Sequence, residues 1–194
     1  MIVLASGSPI RLTLLRQAGL AVTADPSTVD EESVKIRLAD HDTPSLALAL
    51  ATAKAEQVSA RHPATLVIGA DQCLDSDGRR FDKPADMAAA RDQLLALRGR
   101  THHLHSAVAA VIDGRTVWRH VGDARLTMRD FSDAFLDAFL TGTGTDALGS
   151  VGAYRLEDRG IQLFSAIDGD YFTILGLPLL PLLDFLRQTG EIAR

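Results

Sequence analysis

MIVLASGSPIRLTLLRQAGL, residues 1–20, is the stretch that decides the fold class. Ile2 to Ala5 form a short apolar run that reads as a buried strand. Ser6-Gly7-Ser8 is a turn of small residues, and Ser8 followed by Pro9 is a favourable helix start, serine as N-cap and proline at the first helical position. Strand, turn and helix together make one β-turn-α unit. The first turn of the expected helix carries Arg11, and no Asp or Glu occurs before Asp25. A helix N-terminus is positively polarised and favours acids, so an arginine there asks for a partner.

Two readings of the turn stand side by side. In one, backbone N–H groups and the hydroxyls of Ser6 and Ser8 converge on an anion, Gly7 allows it to approach the backbone, and Arg11 is held against it. In the other, Ser8 merely caps the helix, and Arg11 and Arg16 are solvated. The P-loop and nucleophile-elbow patterns are both absent.

Outward from this unit, helical and strand patterns alternate without repeats, low-complexity tracts or a linker. Residues 25–42 read as an acidic loop with a short helix. Thr43 and Pro44 open a long alanine-rich helix, TPSLALALATAKAEQVSARH. TLVIGAD reads as a buried strand ending at Asp71, followed by a hairpin turning at Asp77-Gly78. PADMAAARDQLLALRG is a helix stopped by Gly99, and residues 103–128 form a long hairpin turning at Asp113-Gly114. DFSDAFLDAFLTG is a helix capped by Ser132. GAYRL, IQLFSAI and YFTIL read as strands, and a core helix begins near Pro178. The expected class is α/β, with a mixed twisted sheet flanked by helices.

The chain has 194 residues, 46% apolar and 23% charged, with net charge −5. That is enough for one well-buried core, or one domain with a smaller lobe. The acidic balance argues against a broad grip on nucleic acid or on anionic membrane. The apolar run 174–186 is too short to span a bilayer and is interrupted by prolines and an aspartate. The single cysteine, Cys73, suits a reducing cytosol and reads as a small core residue. With no basic leader at the start, a cytoplasmic location is expected.

Chemistry-bearing residues are few. Asp71 ends an apolar strand, where α/β sheets place ligands, and is suited to hold a divalent cation or accept a proton from water; a turn-capping aspartate is the ordinary alternative. Asp30, Glu31 and Glu32 form an acidic run, by itself a solvated loop. Only three lysines occur, Lys35, Lys54 and Lys83. The last two fall in flagged segments, where they are either exposed or phosphate donors. In HHLH, 102–105, His103 and His105 share one strand face and His102 the other. With no Cys or acid at a zinc spacing nearby, this is read as a strand.

LASGSPIR, DE, AKA, GADQ, DKP, LRGRTH, GAY and GDYFTILGLPL occur in an order that resembles the Maf family from end to end. The resemblance implies a single domain over 1–194, two lobes around a central cleft, related in fold to inosine-triphosphate pyrophosphatases. It implies a cytoplasmic housecleaning hydrolase that splits the α–β bond of a nucleoside triphosphate with Mg²⁺ or Mn²⁺. A homodimer is also a family expectation. By the same resemblance Ser6, Ser8 and Arg11 bind phosphate, Glu31 and Asp71 hold the metal, and Asp71, Lys54, Lys83 and Glu31 are catalytic. The family's L-S-G-x-x-H histidine corresponds to His102, with Arg98 in place of the serine.

Three positions bear on the base. The dTTP/UTP branch has two arginines after S-x-S-P, threonine after GAD, and an I-Q-G stretch. Here Ile10, Gln72 and Glu157 stand instead. Gln72 and the LEDRGIQLF segment are similar to the branch acting on 7-methyl-GTP, although that branch tends to have tryptophan at Ile10. A carboxylate accepts both donors on the guanine edge, whereas glutamine suits a pyrimidine imide. Glu157 and Asp158 are otherwise simply turn residues. The alternatives are a dTTP/UTP pyrophosphatase, or a nucleotide-binding regulator of septum formation with little turnover.

Overall fold

A computed structural model describes residues 2–193. In chain order the elements are β1 (Ile2–Leu4), α1 (Pro9–Gln17), β2 (Val22–Ala24), α2 (Glu31–Arg37), α3 (Thr43–Ser59), β3 (Leu66–Ser76) and β4 (Arg79–Phe81). Then follow α4 (Met87–Leu97), β5 (Thr101–Ile112), β6 (Arg115–Met128), α5 (Asp133–Thr143), β7 (Phe164–Asp168), α6 (Tyr171–Ile174) and α7 (Leu179–Gln188). Strand order is β2-β1-β3-β5-β6-β7, with β4 paired to β3. β1 is parallel to both β2 and β3, while β3–β4 and β6–β7 are antiparallel. The expected mixed α/β sheet is what forms.

The chain divides into two compact units. The first comprises residues 1–72, 105–122 and 170–194. β1 is buried on both faces. Ile2 and Leu4 join one core cluster with Leu14, Ile68, Leu182 and Leu186, and Val3 and Ala5 join another with Ala55, Val58 and Val67. The alternation of a strand therefore serves two layers, with α1 and α7 on one side and α3 on the other.

The second unit comprises residues 73–104 and 123–169. Leu94, Leu97, Leu136 and Leu163 are fully buried in it. Asp77-Gly78 makes the expected hairpin turn, both residues at positive φ (50° and 77°). In the first unit Asp113-Gly114 repeats that geometry (48° and 72°). Gly99, at φ 69°, follows α4 as expected. Arg98 ties this helix end to the start of α5, its Nη1 donating to the Phe131 carbonyl (3.1 Å) and to Asp133 (2.6 Å). The residue that replaces the family serine thus has a structural task.

Several expectations fail for local reasons. GAYRL is not a strand: Gly152 (φ 77°) and Ala153 (φ 62°) are left-handed, which no ladder accommodates. YFTIL is the short helix α6, started by Asp170, whose carboxylate accepts from the Thr173 N–H (2.8 Å) and hydroxyl (3.0 Å). Of IQLFSAI only Phe164–Asp168 is strand, and residues 159–163 are a 3₁₀ turn capped by Asp158. The N-cap of α3 is Asp42, accepting from the Ser45 N–H at 2.8 Å, and Thr43 is already helical. β3 runs past Asp71 to Ser76 without a break, and Cys73 is half-buried rather than core.

In the second unit His102 is fully buried against the rings of Tyr154 and Phe164, its Nε2 2.7 Å from the Tyr154 hydroxyl. Its Nδ1 has no hydrogen-bond partner among the described residues. Burial holds its pKa down at about 4, with the neighbouring His103 lowering it further. His102 is therefore neutral when folded. Because the folded pKa lies below the ordinary value, its contribution to stability is full above about pH 6.5 and is lost as pH falls toward 4. The expected loss is on the order of 3 kcal/mol. Thermal midpoints of wild type and His102→Gln across this window check it: the wild type falls more steeply, and parallel curves would refute the assignment.

Candidate functional site

The site of the first unit is built on the parallel pair β1–β3. Leu4 pairs with Ile68, and the Ala5 N–H donates to the Ile68 carbonyl at 2.8 Å. The serine turn therefore leaves β1 beside Gly69-Ala70-Asp71. Arg11 fastens the two together. Its Nη1 donates to the Ala70 carbonyl (2.8 Å) and the Ser6 hydroxyl (3.2 Å), and its Nε to the Gly176 carbonyl (2.7 Å). The arginine whose own helix turn holds no acid thus has protein acceptors: three segments far apart in sequence meet on one guanidinium.

Ser8 stands at the N-cap position but makes no side-chain cap bond, so the plain-cap reading does not hold. Its N–H donates to Ser6 Oγ instead (3.3 Å). Ser6 is buried, Ser8 half-buried and Gly7 exposed.

Lys54 of α3 is the centre of the second half of the site. Its ammonium lies 2.5 Å from Asp71 Oδ1 and 2.7 Å from Glu31 Oε1. Lys54 and Asp71 are both buried, whereas Glu31, in the first turn of α2, is exposed. Asp30 orients that helix start, accepting from the Ser33 N–H (3.2 Å) and hydroxyl (2.5 Å), which lowers its own pKa. The acidic run is thus split: Asp30 caps, Glu31 faces Lys54, and Glu32 is exposed.

Sequence reading missed what brings Lys54 to Asp71. α3 approaches β3 so closely at Gly69 that a Cβ there would overlap the Ala51 carbonyl oxygen and the Cβ and N of Ala55. Ala47, Ala51 and Ala55, a small-residue stripe at helical spacing, are fully buried. Glycine on the strand and alanine on the helix set the separation that the lysine bridges. The signal was present as GAD and AKA but is interpretable only once the two elements are paired. Gly69→Ala is expected to destabilise the fold by about 1–3 kcal/mol, because backbone must give way rather than a flexible side chain. A thermal midpoint lowered by several degrees checks this, and an unchanged midpoint would show the approach is not tight.

Of the other sequence candidates, Ile10 is half-buried and packs against the α1 and α7 core cluster. Gln72 is half-buried, and its amide nitrogen is bound to Ser106, Thr173 and Ile174. Lys83 and Glu157 belong to the second unit and are exposed. Lys83 follows β4. Glu157 sits in a tight loop, where a Cβ on Gly160 would meet the Arg155 carbonyl. His102 is a core residue, as described. His103 is paired instead with Asp123 in the same unit, Nδ1 to Oδ1 at 3.5 Å.

The donor set at Glu31 and Asp71 is a pair of carboxylates, both within ion-pair distance of one ammonium. Two carboxylates are the hard oxygen ligands that suit Mg²⁺ or Mn²⁺.

Residues 1–189 match the family described as Maf-like protein. A nucleoside triphosphate pyrophosphatase of Paramagnetospirillum magneticum is 58% identical over 191 residues, covering 97% of this chain and 98% of its own. A 7-methyl-GTP pyrophosphatase of Mesorhizobium japonicum is 53% identical over 193 residues, covering 98% and 97%. Among solved structures, a HAM1 protein from Coxiella burnetii aligns with a TM-score of 0.45 at 18% identity, over 67% of this chain and 73% of that one. That likeness carries no weight for the fold or the site. The motif order from the serine turn to α7, matched over almost the full length, places the chain in the Maf-like protein family.

Proposed function

We propose that the chain is a nucleoside triphosphate pyrophosphatase that hydrolyses the α–β phosphate bond, releasing a nucleoside monophosphate and pyrophosphate. The observation that carries it is the junction at Ala70-Asp71. On one side the Arg11-braced serine turn offers hydroxyls and a cation; on the other, Asp71 is paired with Lys54 and through it with Glu31. A phosphate seat beside a buried carboxylate is suited to water attack on a phosphoanhydride. The names of the relatives support the same reaction.

Mechanism follows from these residues. Ser6 and Ser8 orient phosphate oxygens, and Arg11 keeps Ser6 in place while adding positive charge to the seat. Asp71 accepts the proton of the attacking water. Lys54 holds Asp71 at a fixed position and neutralises charge moving onto the leaving pyrophosphate. Glu31 and Asp71 would hold Mg²⁺ or Mn²⁺, which when bound supplies charge neutralisation at the phosphates and acidifies water. In this reading residues 1–194 form one catalytic domain. Family membership also supports a homodimer in the cytoplasm. None of the described helices is long and apolar enough to cross a membrane.

For the base we favour a 7-methyl-GTP-like purine. Glu157 offers a carboxylate to two adjacent donors on a guanine edge, and Ile10 removes the cation of the pyrimidine branch. A panel of triphosphates with Mg²⁺ or Mn²⁺, scored for pyrophosphate, tests both parts. Pyrophosphate with a preference for 7-methyl-GTP is expected. Stepwise release of orthophosphate would sink the reaction, and a preference for dTTP and UTP would overturn the base assignment.

A further inference from the structure

Between β2 and α2 the chain crosses from one half of the site to the other. Pro26 lies over the serine turn, its Cβ and Cγ each 3.8 Å from where a Cβ on Gly7 would stand. Further on, Glu31 reaches the Lys54 ammonium at 2.7 Å. Residues 25–31 thus run from the phosphate seat to the ion cluster, all within the first unit.

The segment is fastened to one face of α3 at three places. Glu31 meets Lys54. The Thr28 N–H donates to Gln57 Oε1 at 2.7 Å, and the Thr28 hydroxyl lies 3.4 Å from the same oxygen. Asp25 accepts from Arg61, Nε to Oδ2 at 3.1 Å and Nη2 to Oδ1 at 2.9 Å, and His62 Nε2 lies 2.8 Å from Oδ2. Lys54, Gln57 and Arg61 are at helical spacing and share a face of α3, and their partners at 31, 28 and 25 follow in the opposite order. Segment and helix therefore run antiparallel, matched rung by rung. The rungs differ in strength. Arg61 and His62 hold the pKa of Asp25 below its ordinary value, but Arg61 is exposed, and an exposed pair contributes little after screening. Gln57 is half-buried and binds a backbone N–H that has no backbone acceptor among the described residues, so it fixes the course of the chain itself.

We infer that Gln57 is a positioning residue: by holding the Thr28 peptide it sets where α2 begins, and with that where Glu31 stands beside Lys54 and Asp71. Arg61 supports it from one turn further along α3. Glu31 is exposed and sits in the first turn of a seven-residue helix, so its place depends on how the chain enters that helix. The effect on metal binding rests on the pyrophosphatase reading, in which Glu31 and Asp71 are the metal ligands; the seating of the segment does not.

The test uses the full chain with Gln57→Leu, Gln57→Glu and Arg61→Met, and Glu31→Gln alone and combined with Gln57→Leu. Leucine fills the volume of the glutamine stem without an acceptor, whereas glutamate restores an oxygen. Hydrogen exchange is followed at the amides of Thr28 and of Ser33, which donates to the Asp30 cap. Exchange at Thr28 is expected to quicken by about tenfold in Gln57→Leu, to stay near wild type in Gln57→Glu and to change less in Arg61→Met. Mn²⁺ is then titrated without nucleotide and read as the rise in thermal midpoint. Gln57→Leu needs about three- to tenfold more Mn²⁺ for the same rise, because Glu31 is in place only part of the time. In the Glu31→Gln background Gln57→Leu adds nothing to that requirement. Unchanged exchange at Thr28 would overturn the inference. Faster exchange with an unaltered Mn²⁺ requirement would make Gln57 a stabilising residue alone and overturn its positioning role, as would a loss that adds in full to that of Glu31→Gln. If the wild type neither responds to Mn²⁺ nor turns over a triphosphate, the pyrophosphatase reading fails, and exchange at Thr28 and Ser33 still decides the seating.

Discussion

Asp71→Asn is expected to lower turnover by about 10²–10⁴-fold while leaving the fold intact. Asparagine keeps the shape of the side chain but has no basic oxygen to take a proton from water. It also loses the charge that pairs with Lys54 at 2.5 Å. Lys54 retains Glu31 at 2.7 Å, so its ammonium is not left buried without a counter-ion, and collapse of the first unit is not expected. Steady-state pyrophosphate release, with far-ultraviolet circular dichroism and a thermal scan on the same sample, separates the two effects. Near-normal turnover would remove Asp71 from the reaction. Lost activity with lost structure would assign it to stability instead.

The parts of this site that were legible in the sequence are those set by local chemistry. The Ser-Pro helix start, the two Asp-Gly turns, the Gly99 stop and the apolar strand ending in GAD each encode a backbone requirement within a few residues. The alanine-rich helix was recognised through length and composition despite its alternating LALALA, which mimics a strand. The errors cluster at 152–175. There IQLFSAI and YFTIL have strand composition, but an aspartate cap at Asp170 and left-handed residues at 152–153 override it. Propensity averages over side chains, whereas one cap or one positive φ fixes a backbone outright.

Long-range consequences were not legible. Arg11 stands out in the sequence for want of an acid in its first turn, but its carbonyl acceptors on Ala70 and Gly176 lie 59 and 165 residues away. A cation's carbonyl partner has no side-chain signature in a sequence. The same holds for Gln72, whose partners at 173 and 174 are backbone groups. Glu31, Lys54 and Asp71 were each identified by type and order. That they form one ion cluster depends on the small residues at 51, 55 and 69, a packing condition that two elements satisfy jointly.

Lys54→Met carries the second large effect, and its outcome separates the lysine's charge from the packing of its stem. Methionine fills the volume of the aliphatic stem but removes the ammonium between two carboxylates. Asp71 is then a buried charge without its lysine partner, and loss of one member of such a pair costs about 3–5 kcal/mol. Glu31 is exposed and adds repulsion that water largely screens. Three measurements follow. The thermal midpoint falls well below that of wild type. The double variant Lys54→Met with Asp71→Asn regains part of the loss, because the carboxylate charge that faced the ammonium is gone too. Added Mg²⁺ or Mn²⁺ raises the midpoint of Lys54→Met more than that of wild type, since a divalent cation relieves both carboxylates where the ammonium formerly competed. Should the double variant be no more stable than Lys54→Met alone, the lysine is held by its stem packing and not by its charge. If the metal effect is equal in both proteins, Glu31 and Asp71 are not the carboxylates that bind it.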